Sequence, residues 1–103
     1  MDLINRNKDK LEKLCEKHKV NELYVFGSIL TDEFNELSDI DFLIQFLHVD
    51  LPEYFDNYMD LKEKLEALFN RPVDLVEDQA IRNPVFRKVV DRNKILIYGR
   101  KSA

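Results

Sequence analysis

Asp39 and Asp41 lie two residues apart at the start of an apolar run, residues 40–46 (IDFLIQF). On a strand, residues i and i+2 project to the same face, so the two carboxylates would point together while Ile40 and Phe42 face the core. Two carboxylates this close repel each other unless a cation lies between them or one of them is protonated. Mg²⁺ prefers oxygen ligands and takes one or two carboxylates together with substrate phosphates. The pair therefore predicts a magnesium site.

A third aspartate, Asp74, lies inside a second apolar run, residues 73–76 (VDLV). A charge in a short buried strand is costly unless it is paired or bound to a metal ion. If this strand lies beside the strand at 40–46, Asp74 meets Asp39 and Asp41 on one face of the sheet. Three carboxylates from two strands would then hold two Mg²⁺ ions ~4 Å apart, an arrangement that supports in-line phosphoryl or nucleotidyl transfer.

Gly27 and Ser28 follow the apolar run at residues 23–26 (LYVF). A glycine at the end of a strand allows close backbone approach to a phosphate, and a helical turn after Ser28 would offer free N–H groups. The Ser28 hydroxyl adds one more donor. Taken alone, this dipeptide is also typical of an ordinary turn. Together with the three aspartates it predicts a phosphate-binding position.

The spacing of apolar side chains predicts the elements that must position these residues. Helices are predicted over residues 2–19, from Asp50 to near Asn70, and from Asn83 and Pro84 onward, with Asp50 and Glu53 forming a capping box. Strands are predicted at 23–26, 40–46, 73–76 and 95–98. The order α-β-β-α-β-α-β predicts an α/β (α+β) fold with a small mixed sheet flanked by helices, whose first two strands are antiparallel. No linker or repeat interrupts the chain, so residues 1–103 are predicted to form one domain.

Composition excludes several classes of protein. The 103 residues carry 16 basic and 20 acidic side chains, a net charge of −4, which disfavours binding to a nucleic-acid backbone. No apolar stretch approaches the ~20 residues that span a bilayer, and residues 1–10 lack the core of a signal peptide. The lone Cys15 cannot form an internal disulfide and is interpreted as a core thiol. The single cysteine and the lack of such targeting segments together predict a cytoplasmic protein. His18 and His48 lack metal-ligand spacing and are predicted to lie on the surface or in loops.

The combined pattern resembles the minimal nucleotidyltransferases of the DNA polymerase β superfamily. The likeness comprises Gly27-Ser28, the ten-residue spacer 29–38, Asp39-Ile40-Asp41 and the run 71–76 (RPVDLV), and it extends to Tyr98-Gly99. The resemblance implies a palm-like fold, with a small mixed sheet flanked by helices. It also implies that Gly27 and Ser28 hold the nucleoside triphosphate. Asp39 and Asp41 would bind two Mg²⁺ ions, and Asp74 would be the third carboxylate, near the acceptor.

The same resemblance implies a partner and an activity. Bacterial and archaeal proteins of this size in the family often act as antitoxins that transfer AMP from ATP to a tyrosine of a HEPN-domain ribonuclease toxin. Two alternatives stay open, namely a non-catalytic module that neutralises its partner by binding, and a transferase that acts on a small molecule. A homodimer and a hetero-oligomer both fit a small sheet with an open face, and no residue pattern chooses between them.

One segment departs from the family pattern. Many relatives carry Ala-Arg-Gly shortly after Gly-Ser, whereas this chain has Leu30-Thr31-Asp32 and no basic residue before Asp39. Either another cationic side chain binds the triphosphate in place of that arginine, or nucleotide binding is weak. The candidates for such a cation are Arg71, Arg82, Arg87 and Lys88.

Overall fold

The computed structural model describes residues 2–99. Its helices are α1 (Asp2–Arg6), α2 (Lys8–Lys17), α3 (Leu51–Phe69) and α4 (Pro84–Asn93), and its strands are β1 (Val20–Phe26), β2 (Ile40–Phe46), β3 (Val73–Glu77) and β4 (Ile95–Tyr98). Two short 3₁₀ turns follow β1 and β3, at Gly27–Leu30 and Asp78–Ala80. Among residues 2–99, no helix combines the length and the apolar character needed to cross a membrane.

The four strands form one mixed sheet in the order β3-β2-β1-β4. β1 pairs antiparallel with both β2 and β4, while β2 and β3 are parallel and are connected through α3. The predictions of a small mixed sheet flanked by helices and of an antiparallel first pair are therefore confirmed. That residues 1–103 form a single domain stays a prediction, because Met1 and residues 100–103 lie outside the part of the chain that the structure describes.

The two faces of the sheet pack against different helices. One face meets α2 and α3 in a core whose fully buried members include Leu11, Cys15, Val25, Phe42, Leu61 and Leu65. On the other face, Val90 of α4 packs against Phe26 and Leu43. The interpretation of Cys15 as a core thiol is confirmed, and burial raises the pKa of this thiol to about 12. The second face is only partly covered, which leaves room beside α4 for a site.

The structure corrects the predicted start of the chain. The predicted helix at 2–19 is divided at Asn7, whose backbone leaves helical geometry while its side-chain amide donates to the Leu3 carbonyl at 2.9 Å. Lys19 adopts a left-handed conformation (φ 59°), which ends the helix and turns the chain directly into β1. β1 consequently begins at Val20, where that residue pairs with Phe46, rather than at residue 23.

Two further predictions about polar residues are wrong. The Asp50 side chain does not cap α3 and is instead 3.2 Å from Nε2 of His48. His18 is 2% exposed, with Nδ1 2.7 Å from the Leu14 carbonyl and Nε2 2.6 Å from the Asp60 carboxylate, so it joins α2 to α3. His48 is exposed in a loop, as predicted.

Candidate active site

The register of the sheet brings two of the predicted aspartates side by side. Asp41 of β2 is the direct partner of Asp74 in the parallel strand β3, and on its other side Asp41 is the partner of Phe26 in β1. The neighbours Ile40, Phe42, Val73 and Leu75 are all buried in the core with α2 and α3, so the alternation along each strand places both carboxylates on the opposite face. Asp39 comes immediately before β2, at the end of the strand that carries Asp41.

The charges of these carboxylates act on one another. The pKa of Asp41 is raised, first because partial burial removes water from its carboxylate and then because of the negative charges of Asp74 and Asp39. A divalent cation between the carboxylates would relieve this repulsion. Within residues 2–99, no three His, Cys, Asp or Glu side chains lie close enough together to hold a metal ion on their own. A site of two carboxylates completed by substrate phosphates nevertheless fits Mg²⁺, whose protein ligands are commonly that few.

The surroundings of Asp74 differ from the prediction. Its neighbours Val73 and Leu75 are buried, but the Asp74 side chain itself is exposed, because β3 is an edge strand with α3 on the other face only. The argument that Asp74 is a costly buried charge is therefore wrong. Its predicted position beside Asp41 is correct, and the exposure leaves this side of the carboxylates open to a second reactant.

Gly27 lies directly against the Asp41 carboxylate. Its φ of +79° belongs to the left-handed region, and a Cβ built at this position would overlap Oδ2 of Asp41 and lie 3.2 Å from its Cγ. The chain then enters the predicted helical turn, Gly27–Leu30, which Thr31 closes by donating its N–H (2.9 Å) and its hydroxyl (2.8 Å) to the Ser28 carbonyl. Ser28 is half-buried at the start of this turn. Gly27 thus lies directly beside the Asp41 carboxylate, and Ser28 is the next residue of the turn.

Arg71 holds the loop that carries Asp39. Its Nη1 donates to the carbonyls of Asn35 (2.9 Å) and Ser38 (3.0 Å), and its guanidinium lies over the Phe34 ring, 4.7 Å from the centroid. The next residue, Pro72, accepts the N–H of Ile40 at 3.2 Å. Both neighbours of Asp39 in the chain are therefore held by the two residues before β3, Arg71 and Pro72. Sequence reasoning named Arg71 only as a cation for the triphosphate, and no local pattern indicated this role.

The other candidate cations divide into two groups. Arg87 is paired with Asp78 at 2.8 Å and with Asp91 at 3.2 Å, and the hydrogen bond that it donates to the Asp78 carboxylate raises the pKa of its guanidinium. Arg82 and Lys88 are exposed and form no ion pair within residues 2–99. Of these four candidates, Arg71 and Arg87 are thus engaged in structural contacts, whereas Arg82 and Lys88 make no ion pair in the described part of the chain.

Comparison with known proteins places this geometry in a family. A family model described as "Polymerase beta, Nucleotidyltransferase" matches residues 9–103. A Methanocaldococcus jannaschii protein with the provisional name protein adenylyltransferase is 37% identical over 101 residues, covering 94% of this chain and 100% of the relative. The protein adenylyltransferase MntA of Thermococcus cleftensis is 34% identical over 79 residues, covering 77% of each chain.

Solved structures have the same fold. A structure provisionally described as a minimal nucleotidyltransferase is 31% identical, with a TM-score of 0.74 over 92% of this chain and 95% of the other. A toxin–antitoxin structure with AMP-PNP is 24% identical, with a TM-score of 0.71 over 92% of this chain and 75% of the other. A structure described as a tri-AMPylated Shewanella oneidensis HEPN toxin in complex with MNT antitoxin gives 23% identity and a TM-score of 0.64, over 93% of this chain and 72% of the matched chain.

The family match covers β1 to β4 and therefore includes the turn at Gly27 and all three aspartates. The chain is a nucleotidyltransferase that belongs to the polymerase β nucleotidyltransferase family.

Proposed function

We propose that this protein is a magnesium-dependent protein adenylyltransferase that transfers AMP from ATP to a tyrosine hydroxyl of a HEPN-type ribonuclease toxin and thereby acts as its antitoxin. The names of the relatives support the reaction class, and the Shewanella complex supports the kind of partner. The observation that carries the proposal is the pairing of Asp41 with Asp74 on the open face of the sheet, directly against Gly27.

Each site residue has a distinct part in the proposed reaction. Asp39, Asp41 and Asp74 would share the binding of Mg²⁺ with the substrate phosphates, with no more than two of the carboxylates on one ion. The bound metal would neutralise phosphate charge and make the acceptor hydroxyl easier to deprotonate. Gly27 and Ser28 would hold the triphosphate, because the missing side chain at position 27 lets a phosphate approach the backbone. The hydroxyl oxygen forms a bond to the α-phosphorus of ATP while the bond from that phosphorus to pyrophosphate breaks. Asp74, exposed on the edge strand, lies on the side that stays open to the acceptor.

A labelling experiment tests this proposal. The protein is incubated with a purified HEPN partner, Mg²⁺ and ATP labelled at its α-phosphate, and the partner is assayed for label. We expect transfer by the wild type and its loss in Asp39→Ala and Asp41→Ala, because each substitution removes a carboxylate ligand. Asp9→Asn removes an exposed carboxylate from α2 and should leave transfer unchanged. Label that persists in both site variants would contradict the assignment of these carboxylates.

A second candidate function is neutralisation of the partner by binding without chemistry. One observation favours it: residues 29–38 contain no basic side chain, and Arg71 and Arg87 are held in structural contacts. The two functions differ in a measurement of toxin activity with the Asp41→Ala variant. Under the adenylyltransferase proposal this variant fails to silence the ribonuclease, whereas silencing as complete as that by the wild type would favour the binding module.

A further inference from the structure

Four large apolar side chains are exposed at the carboxyl end of β2 and along the first half of α3. Leu51 is 86% exposed and Phe55 is 69% exposed, and Leu47 and Met59 are exposed as well. Leu51, Phe55 and Met59 are spaced four residues apart on α3 and therefore share one face of the helix. We call these four residues the Phe55 surface. An exposed apolar patch of this kind is typical of a surface that binds another protein.

A cavity of about 380 Å³ adjoins the Phe55 surface and is lined in part by Leu47 and Leu51. Tyr54 from the first turn of α3 and Glu77 from the end of β3 also line it. The Tyr54 hydroxyl oxygen is buried without a hydrogen-bond partner within residues 2–99, and the half-buried Glu77 forms no ion pair in the same range. Burial raises the pKa of Glu77, an effect that a nearby cation would oppose. Both groups would gain from a ligand that carries positive charge and donates hydrogen bonds.

The charges along the Phe55 surface are mostly of one sign. Residues 49–61 contain no Lys or Arg, and their acidic side chains are Asp50, Glu53, Asp56 and Asp60. Asp60 is paired with His18 and Lys64, which leaves the other three carboxylates exposed along the same segment. The amino end of α3 contributes only about half a positive charge, which these carboxylates outweigh. The Phe55 surface therefore favours a partner whose apolar side chains are surrounded by Lys or Arg.

This requirement decides between two occupants of the surface. A second copy of the chain fits badly, because a symmetric dimer through the Phe55 surface would bring the same acidic residues together. The HEPN-type ribonuclease fits better, because an enzyme that cleaves RNA must present Lys and Arg to the phosphate backbone. Covering such a basic face would also withdraw it from the RNA.

The Phe55 surface lies at the opposite end of the sheet from the candidate active site. Asp41 is the second residue of β2, whereas Leu47 follows its last residue, so the two lie about 20 Å apart along the strand. A partner held at the Phe55 surface therefore leaves the carboxylates and the exposed side of Asp74 accessible to an acceptor hydroxyl.

We propose that the Phe55 surface and the adjoining cavity bind a basic, apolar face of the partner ribonuclease, with Phe55 as the apolar anchor and Glu77 as the carboxylate that receives a Lys or Arg side chain. The inference rests on the proposed function for the identity of the partner. It assigns the surface that binds this partner, separate from the residues that carry out the transfer.

Two calorimetric titrations of the full-length protein test the assignment, one with the purified HEPN partner and one with AMP-PNP and Mg²⁺. Phe55→Ala and Glu77→Gln should each lower the affinity for the partner by about tenfold or more, as central interface residues do, and leave the affinity for AMP-PNP unchanged. The double variant Glu53→Lys/Asp56→Lys, at two exposed positions, should weaken partner binding as well. The affinity of the wild type for the partner should fall as the salt concentration rises.

Two matched controls should bind the partner as the wild type does. Val85→Ala truncates a side chain that is also 69% exposed but lies on α4, which packs on the other face of the sheet. Glu16→Gln removes one exposed negative charge from α2.

The remaining outcomes would each overturn the inference. If Phe55→Ala and the double variant bind the partner as the wild type does, the surface assignment fails, while labelling of the partner by the wild type would leave the proposed function in place. A parallel loss of AMP-PNP binding would show that these substitutions act through the fold. Wild-type dimers that Phe55→Ala dissociates, with ribonuclease binding retained, would assign the surface to a second copy of the chain. A wild type that neither binds nor labels the partner would contradict the proposed function together with this surface.

Discussion

Position 27 is the residue at which the candidate site tolerates least change. Alanine there would have to adopt φ near +79°, which costs about 1–2 kcal/mol for a residue with a Cβ, and its methyl group would overlap the Asp41 carboxylate. We therefore expect Gly27→Ala to lower the free energy of unfolding by about that amount and to abolish both AMP-PNP binding and transfer. Urea unfolding and calorimetric titration measure the two effects.

Gly99 supplies a matched control for this prediction. It also has a positive φ (+111°), and a Cβ there would meet the Asn21 carbonyl at 2.5 Å, at the opposite end of β1 from Gly27. Gly99→Ala should therefore destabilise the fold while the folded protein still binds AMP-PNP. If Gly27→Ala binds AMP-PNP as the wild type does, Gly27 has no part in the site.

The His18–Asp60 pair gives a prediction about acid stability. Hydrogen bonds from His18 and then from Lys64 lower the pKa of Asp60 from 3.8 to about 2. Because the folded-state pKa is the lower one, ionised Asp60 stabilises the fold above pH 3.8, and this contribution is lost as the pH falls through about 2. Asp60→Asn should thus be less stable than the wild type near neutral pH, with a difference that shrinks in acid.

Urea unfolding over a series of pH values measures this difference. Asp56→Asn is the control, because Asp56 is exposed one turn earlier on α3 and forms no ion pair within residues 2–99. A stability difference between Asp60→Asn and the wild type that stays constant down to pH about 2 would show that the pair does not stabilise the fold through the charge of Asp60.

At the scale of elements, the loop between β1 and β2 depends on the short connection from α3 to β3, which carries Arg71. Arg71 donates to the carbonyls of Asn35 and Ser38, so its removal leaves the segment before Asp39 without its side-chain anchor. We expect Arg71→Gln to speed amide hydrogen exchange across residues 31–39 and to weaken AMP-PNP binding, because Asp39 loses its fixed position. Arg71→Lys should recover only part of the effect, since lysine cannot reproduce the planar fork or the contact with Phe34.

The control for this prediction is Arg92→Gln, which removes an exposed arginine from the last turn of α4. It should change neither exchange in the loop nor nucleotide affinity. Unchanged loop exchange in Arg71→Gln, or a loss of affinity that Arg71→Lys restores completely, would argue that Arg71 acts through its charge alone.

At the scale of the whole molecule, the elements that were predicted best from the sequence are those whose apolar residues lie between clear turn residues. β2 and β4 begin and end at the predicted residues, and α3 ends next to Asn70 as expected. The start of β1 was missed, because it depends on pairing with Phe46 far along the chain and on the left-handed Lys19. The local spacing of apolar residues indicates neither this pairing nor this backbone conformation.

The features of the candidate site also fall into those that the sequence predicted and those that depend on distant contacts. The side-by-side placement of Asp41 and Asp74 followed from two apolar strands and the assumption that they are neighbours, which the parallel register confirms. The role of Arg71 and the partner of His18 both depend on contacts between residues more than thirty positions apart. A single sequence does not reveal such contacts, whereas residue type and spacing were enough to find the carboxylates.

The direction of the parallel strands β2 and β3 determines which helix end lies near the carboxylates, and therefore the electric field at the site. Asp41 and Asp74 are the second residues of β2 and β3, so their carboxylates lie at the amino ends of these strands. The carboxyl end of α3 is at the same end of the sheet, because α3 leads directly into β3. In many open α/β sheets the ligand lies at the opposite edge and meets the positive amino ends of helices. Here the negative end of the α3 dipole adds to the charge of three aspartates. We therefore expect this edge to repel free ATP and to accept the nucleotide as its magnesium complex, with the phosphate charge already partly neutralised.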